Sequence, residues 1–391
     1  MRILYICSSD LSGESGSLGS VRHIFEVCEN LCRMGNKIKL IAPRYARYSH
    51  STPVEIIYVP LIKFRFLRTL THEILAPFFI FAYIILWKPT VIYWRQSYLT
   101  FFPVMLSRLL KKKIVTEVNG LTLDEIESET LSKIRKKIIL GLEKFNYVKS
   151  SHLICVAPKI REKIVKYYKL PKRKVSVILN GVNSDNMPVI SSKNAKESIG
   201  IDPGTKVIGF VGHFFPWDGI EYLIEAASTV IQKEKNVRFL IIGHGKWGEH
   251  LPELVAQKKL DEYFIFTGKV PWERLYVYVN AFDIATAPYS KNINSQSGRS
   301  SLKILEYFAC QKAVVASQTS VIPEIIDLEK KQFGITVPAE NPQALAEAIL
   351  RLLKNQALLQ KMGQKSREYV QNERSWKQVA LSTLQIINSI V

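Results

Sequence analysis

The sequence predicts an α/β protein built from two doubly wound, parallel-sheet domains, and two observations predict it. Short β-branched runs alternate with amphipathic stretches through almost the whole chain, and the alternating series occurs twice. Several of the runs are apolar at consecutive positions, as strands covered on both faces by helices must be. In the first half the strand candidates are 3–7, 38–42, 55–59, 91–94, 114–118, 152–156 and 175–179. In the second half they are 207–211, 238–242, 264–267, 284–287, 313–316 and 335–337. Strands separated by helical stretches form parallel βαβ units. A chain of 391 residues also exceeds one ordinary core, so two domains of under about 200 residues each are expected.

The change between the series falls after Asn180-Gly181-Val182, in a polar stretch that carries Pro188, Pro203 and several Ser and Asn residues. This places a first domain at 1–185 and a second at 186–374, followed by a closing helix at about 375–391.

Composition narrows the class. Hydrophobic residues make up 47% of the chain, which marks a globular protein. The five cysteines, Cys7, Cys28, Cys32, Cys155 and Cys310, form no CxxC pair and lie in apolar segments. They read as buried thiols, neither a disulfide frame nor a zinc site. The apolar run at the N-terminus is too short for a signal peptide, so the expected compartment is the cytoplasm. A net charge of +20 calls for an anionic partner: nucleic acid, an anionic membrane or a phosphorylated small molecule. No nucleic-acid-binding motif is present, and nucleic acid is not expected as a partner.

Residues 74–87 carry no charge and follow Lys63, Arg65 and Arg68. The segment is shorter than the roughly 20 residues that span a bilayer. Its length favours a buried helix of the first domain. With its basic flank it also suits a helix resting on anionic lipid, and the two readings agree if only one face is buried.

Two segments carry chemistry. The loop after the first strand runs Ser8-Ser9-Asp10-Leu11-Ser12-Gly13-Glu14-Ser15-Gly16-Ser17-Leu18-Gly19-Ser20 and opens an amphipathic helix with Val21, Ile24, Phe25, Cys28 and Leu31 on its stripe. Small residues before a helix N-terminus let backbone amides approach a phosphate; a flexible Ser-rich turn has the same composition. The second segment is Ser300-Ser301-Leu302-Lys303-Ile304-Leu305-Glu306-Tyr307-Phe308-Ala309. Ser300 is the expected N-cap. Lys303 then sits in the first turn, where a cation opposes the helix dipole, and Glu306 lies at the edge of the apolar stripe, where a carboxylate needs a partner. An anion docked at that N-terminus accounts for both; so does a solvated Lys303–Glu306 pair.

The stretch from Leu302 to Ser317 resembles the C-terminal signature of family 4 glycosyltransferases, a retaining group with the GT-B fold. The resemblance covers nearly the whole chain: Gly19 through Ile38, then Asn180-Gly181-Val182, Phe239-Leu240-Ile241-Ile242-Gly243-His244-Gly245, Phe266-Thr267-Gly268-Lys269-Val270-Pro271, Ile322-Pro323-Glu324 and Glu373-Arg374-Ser375-Trp376 follow the family order. It implies two Rossmann-like domains facing across a cleft, with the closing helix packed back on the first. It implies a hexosyl- or N-acetylhexosaminyl-type transfer from a nucleotide-sugar, with retention, to a glycan or lipid-linked acceptor in polysaccharide or glycolipid synthesis. Residue matching places Glu306 at the ribose, the backbone of Val270 at the base and Gly19, with Ser20, at the diphosphate. The chain has no Asp-x-Asp, in keeping with a reaction that needs no metal or other cofactor.

Four positions in three motifs depart from the family pattern. A glutamate usual before the helix is Gly298, the Arg and Lys of the loop after the second domain's first strand are His213 and Asp218, and a sugar-contacting histidine is Asn119. A branch of the family similarly pairs a Pro-Trp-x-Gly loop (here Pro216-Trp217-Asp218-Gly219) with Ser-x-Leu-Lys (Ser300-Ser301-Leu302-Lys303) and Glu-x-Asn (Glu117-Val118-Asn119). In that pattern Lys303 takes the leaving-group role, and Ser301, Leu302, His213 and Trp217 line the donor. Glu117 and Asn119 complete the catalytic set, with Arg95 of Tyr93-Trp94-Arg95 on the acceptor side. Asp218 is expected to turn towards sugar hydroxyls or stay out of the site, because beside a diphosphate it would be repulsive. The alternatives are a non-catalytic sugar-nucleotide-binding paralogue and a GT-B sugar-nucleotide epimerase, which needs ionisable residues on both faces of the sugar. Peripheral contact with an anionic membrane is expected from the charge and the 74–87 segment.

Overall fold

The computed structural model describes residues 1–12, 18–45, 51–62, 64–97, 99–122, 132–291, 301–319 and 327–391. The chain divides into two compact units, Met1–Asn180 with Trp376–Val391, and Gly181–Ser375.

The first unit is a 7-stranded sheet of β1 (Arg2–Ile6), β2 (Lys37–Pro43), β3 (Glu55–Val59), β4 (Val91–Arg95), β5 (Lys113–Val118), β6 (His152–Cys155) and β7 (Val175–Val177). Its order is β3-β2-β1-β4-β5-β6-β7, and every neighbouring pair is parallel. The connections carry α1 (Leu18–Arg33), α2 (Arg65–Trp87), α3 (Phe102–Leu109), α4 (Lys133–Lys149) and α5 (Pro158–Tyr168). The strand residues expected to be covered on both faces are buried, from Ile3–Ile6 in β1 through Val91–Trp94 in β4 to Ile114–Val118 in β5. The order reverses between β1 and β4, and at such a switch point the carboxyl ends of the strands open a crevice.

Residues 74–87 lie in α2, a helix of the first unit buried on one side, the case in which the two expected readings are compatible. Only one of its faces is covered: Ala76, Ile80 and Ile84 pack with Leu4, Ile92 and Trp94. Ile74, Phe78, Phe81 and Ile85 are exposed, Phe78 by 69%. Two residues further along a helix is about 200° around it, so these two stripes lie on opposite sides. A segment apolar all round cannot say from its sequence which stripe will be covered.

The second unit is a 6-stranded sheet of β8 (Lys206–His213), β9 (Val237–His244), β10 (Phe264–Gly268), β11 (Ile284–Ala287), β12 (Val314–Gln318) and β13 (Gly334–Pro338). The order β10-β9-β8-β11-β12-β13 is again all parallel, with its switch point between β8 and β11. Around it lie α6 (Ser192–Ser198), α7 (Ile220–Lys233), α8 (Leu251–Gln257), α9 (Trp272–Ala281), α10 (Leu302–Ala309), α11 (Pro342–Leu353) and α12 (Gln356–Glu373). Phe210, Ile241, Ile284, Val315 and Ile349 form part of one continuous core.

The final helix, α13 (Trp376–Ile390), belongs to the first unit and packs on α1. The division between units falls after Asn180, ahead of the polar stretch that begins at Asn183. The Val182 amide donates to the Arg374 carbonyl at 2.8 Å, and Val182 pairs with Ser375, which holds these residues in the second unit.

Candidate active site

In the first unit, Glu117 near the end of β5 is the centre of a buried polar cluster, 2% exposed. Its Oε1 accepts from Arg95 Nη1 at 2.6 Å and from Asn119 Nδ2 at 2.7 Å. Its Oε2 accepts from the Tyr93 hydroxyl at 2.6 Å and lies 3.0 Å from His23 Nε2. Parallel register sets part of this: Arg95 and Tyr93 are the last and third strand residues of β4, and Arg95 stands directly beside Glu117 in the ladder. Burial by itself would raise the Glu117 carboxyl. The His23 imidazole and Arg95 guanidinium outweigh burial, helped by the hydrogen bonds from His23 and Tyr93, and hold it well below the usual carboxylate range. The switch point between β1 and β4 is bridged directly, with Ser8 Oγ 3.0 Å from Ser97 Oγ.

The structure brings the expected residues Arg95, Glu117 and Asn119 together and adds His23, to which the sequence assigned no role. This residue comes from α1, 94 positions before Glu117, and the Trp376 ring meets its imidazole edge-on at 5.1 Å. The available signal was Glu117 itself: a carboxylate inside the otherwise apolar strand Ile114-Val115-Thr116-Glu117-Val118 must find donors on neighbouring elements.

In the second unit the cluster sits at the carboxyl ends of β8 and β11, again at the switch point. Lys303, in the first turn of α10, forms an ion pair with Asp218. Its ammonium also lies 4.2 Å from the Phe210 ring centre and 5.3 Å from that of Tyr289. Asp218, expected either to turn towards sugar hydroxyls or to stay out of the site, is thus paired with Lys303. The short 3₁₀ turn Pro216–Asp218 directs Asp218 inward, and its Oδ2 accepts from the Phe215 amide at 3.2 Å. Buried together, a carboxylate and an ammonium pair because either alone would be costly. Burial alone would lower the Lys303 ammonium; Asp218, then Tyr289, reverse this and raise it above its ordinary value.

Glycines make room for the pair. Gly219 has φ +65° and a Cβ there would lie 2.0 Å from the Pro288 carbonyl oxygen. At Gly212 a Cβ would come 2.8 Å from Lys303 Nζ. Helix α10 is itself pinned to the sheet: the Tyr307 hydroxyl accepts from the Val211 amide at 2.8 Å and donates to the Thr286 carbonyl at 3.2 Å.

The other expected donor residues are placed as follows. The N-cap position of α10 is Ser301; its hydroxyl makes no capping bond and lies 2.6 Å from the Tyr289 hydroxyl. Leu302 is half-buried beside it, and Glu306 is buried one turn further along α10. His213 ends β8, with its ring 4.5 Å from Phe215 and 5.1 Å from His244. Burial, with His244 beside it, lowers the His213 imidazole, against the pull of Asp218. The Trp217 ring stacks on Phe215 at 4.4 Å, and the Trp217 carbonyl accepts from the Ser290 amide at 3.1 Å. Val270 is half-buried between β10 and α9, and Gly19 and Ser20 are half-buried in the first turn of α1. Gly13 to Ser17 of the small-residue loop, Gly298, Ser300 and the Ile322-Pro323-Glu324 motif lie outside the described residues.

Two family models match the chain side by side, Glycosyltransferase Family 4 over residues 18–186 and Glycosyl transferases group 1 over residues 205–355. The chain belongs to the group 1 glycosyltransferases. Among curated relatives, a glycosyltransferase of Methanocaldococcus jannaschii is 27% identical over 254 residues, 64% of this chain and 63% of that protein, so the chain spans less than two thirds of that relative's length. Among solved structures, sucrose-phosphate synthase from Thermosynechococcus elongatus matches with a TM-score of 0.80 at 18% identity, over 99% of this chain and 98% of that one. HepE of Anabaena, solved in complex with UDP, matches with a TM-score of 0.77 at 16% identity over 100% of both. At such identities these structures speak to the fold of this chain, two parallel-sheet α/β domains of the GT-B type.

Proposed function

We propose that this glycosyltransferase moves a hexosyl or N-acetylhexosaminyl group from a nucleotide-sugar to a glycan or lipid-linked acceptor, with retention and without a metal ion. The observation that carries this reading is Lys303: an ammonium held at the switch point of the second sheet, in the first turn of α10, with its charged form favoured. A diphosphate leaving group needs positive charge fixed in advance. An ammonium has three N–H donors and its bond to Asp218 uses one. Asp218 then acts as a positioning residue that holds Nζ in place, while the amino end of α10 adds its dipole. Glu306, further along the same helix, takes the ribose hydroxyls, the Val270 backbone the base, and Gly19 and Ser20 the diphosphate. His213, Trp217, Ser301 and Leu302 line the donor. On the first unit, Arg95, Glu117 and Asn119 handle the acceptor and the sugar.

The names of similar proteins support this reading: sucrose-phosphate synthase acts on sugars, and HepE was solved with UDP. The absence of Asp-x-Asp from the chain supports metal independence. The test is nucleoside diphosphate release from a panel of nucleotide-sugars, with acceptor omitted, in excess chelator. We expect release from one donor class, unaffected by chelation. Release abolished by chelator and restored by magnesium or manganese rejects metal independence, and neither release nor binding with any donor rejects transfer altogether.

A further inference from the structure

The exposed side of α2 has a pattern that its role in the core does not require. Leu67, Leu70, Ile74, Phe78, Phe81 and Ile85 recur at three- and four-residue spacing and all are exposed. This is an amphipathic repeat written onto the outward face, opposite the Ala76, Ile80 and Ile84 stripe that the core already uses. Leu86 beside it is 80% exposed. The surface continues, because α2 packs on α3 and α3 on α4. Helix α3 presents Met105 and Leu109, and α4 presents Ile134 and Ile138. Contiguous exposed apolar surface of this kind marks a docking site.

Charge says what docks there. Helices α2, α3 and α4 each return to the amino end of the next strand, so their last turns gather along one edge of the sheet. Exposed Lys88, Lys111, Lys113 and Lys149 lie along that edge. Arg108 and Lys149 both press on Lys174, whose ammonium is lowered first by burial and then by these two cations. Helix α3 has no carboxylate, and the single one of α4, Glu143, is buried against the Tyr147 and Tyr168 hydroxyls. The border of the apolar surface is therefore rich in cations; the carboxylates nearest α2 are engaged, Glu55 with Lys39 beside Tyr83 and Trp87 and Glu73 with Thr100.

We propose that the outward face of α2, with Met105 and Leu109 of α3, docks on the surface of an anionic lipid bilayer, with α2 lying in the interfacial plane and the Arg108–Lys149–Lys174 group against lipid headgroups. A second copy of the chain is the poorer occupant, since a two-fold contact sets the same patch against itself and brings like charges together. By length and composition Leu70–Trp87 suffices to cross a membrane, yet only 22% of that window is buried and its inner stripe is committed to the core. An interfacial helix buries its apolar face about 5–10 Å into the headgroup boundary, which the exposed stripe supplies without unfolding the unit. This inference stands apart from the transfer reading, because it needs no donor.

The experiment is flotation of the full chain with vesicles of phosphatidylcholine alone and with added phosphatidylglycerol. Binding should appear with the anionic lipid and fall severalfold as salt is raised, as screening requires. Phe78→Ser with Phe81→Ser should remove binding while circular dichroism stays unchanged. Arg108→Glu with Lys149→Glu, a surface pair that leaves the apolar stripe intact, should remove its dependence on anionic lipid. Equal binding to both vesicles, or none, overturns the proposal. So does resistance to alkaline carbonate extraction, the sign of a spanning helix. A dimer in free solution that the Phe78 and Phe81 substitutions dissociate, without vesicle binding, assigns the face to a second copy.

Discussion

The Glu117 cluster and the Lys303 cluster occupy corresponding places in the two sheets, at the carboxyl ends of strands beside a switch point, yet they are balanced differently. Glu117 is one anion facing four partners, His23, Tyr93, Arg95 and Asn119, from three parts of the chain. Among the described residues, Lys303 ion-pairs with Asp218 and faces two rings, with the Glu306 carboxylate acting on it from further along α10. The first arrangement is redundant and fixes its members in place. The second leaves a cation whose remaining donors suit an incoming anion. A buried charge with surplus partners is a scaffold, whereas one with donors to spare is poised for a ligand.

The largest effect expected from breaking this comparison is at Glu117. Glu117→Ala strands the Arg95 and His23 groups in a buried site and should lower stability by about 3–5 kcal/mol, read from denaturant unfolding. The acid limb offers a second reading. A carboxyl depressed in the folded state contributes its full stabilisation above its unfolded value, about 4.3, and loses it as the pH falls towards the folded value. Stability of the unsubstituted chain should therefore decline below that range, and Glu117→Gln should flatten the decline.

Next comes Asp218→Asn, which leaves the Lys303 ammonium without its counter-charge. We expect a loss of about 3 kcal/mol. A nucleoside diphosphate should restore part of it, because the added anion takes the place of the carboxylate; a thermal midpoint indifferent to the nucleotide would argue that no anion binds there.

Lys303→Ala comes third, with turnover lowered at least tenfold, about 1.4 kcal/mol of barrier. Because the substitution leaves Asp218 buried alone, Lys303→Ala with Asp218→Asn is the cleaner variant. It should regain stability but not turnover. Unchanged kinetics in both would remove Lys303 from the mechanism.

The smallest expected effect tests redundancy. Asn119→Ala removes one of the partners of Glu117 and should cost about 1 kcal/mol, since the others remain. A loss as large as that of Glu117→Ala would mean that the cluster fails as a unit.

The strands were legible because each is a short β-branched run, and burial on both faces demands that composition wherever such a strand falls. Glu117 was legible for the opposite reason, as a charge where the pattern forbids one. Its partner His23 was not, because a contact across 94 positions is set by the packing of α1 over the sheet and leaves no local trace. The pairing of Asp218 with Lys303 was not legible either, because the two lie 85 positions apart. The outward stripe of α2 was present in the sequence, but without knowing which side met the sheet it could not be told from core.

The Trp376–Ile390 helix carries a consequence for the order in which the chain is made. Trp376 is buried against His23, and its helix covers α1, although 195 residues of the second unit, Gly181–Ser375, are synthesised in between. A unit released first from the ribosome would ordinarily fold first. Here the earlier unit must wait with the α1 surface bare until residue 376 and its successors emerge, so the later unit can complete its sheet before the earlier one is closed. A nascent chain arrested before Trp376 should thus expose the α1 surface to chaperones and proteases while its second sheet is already protected.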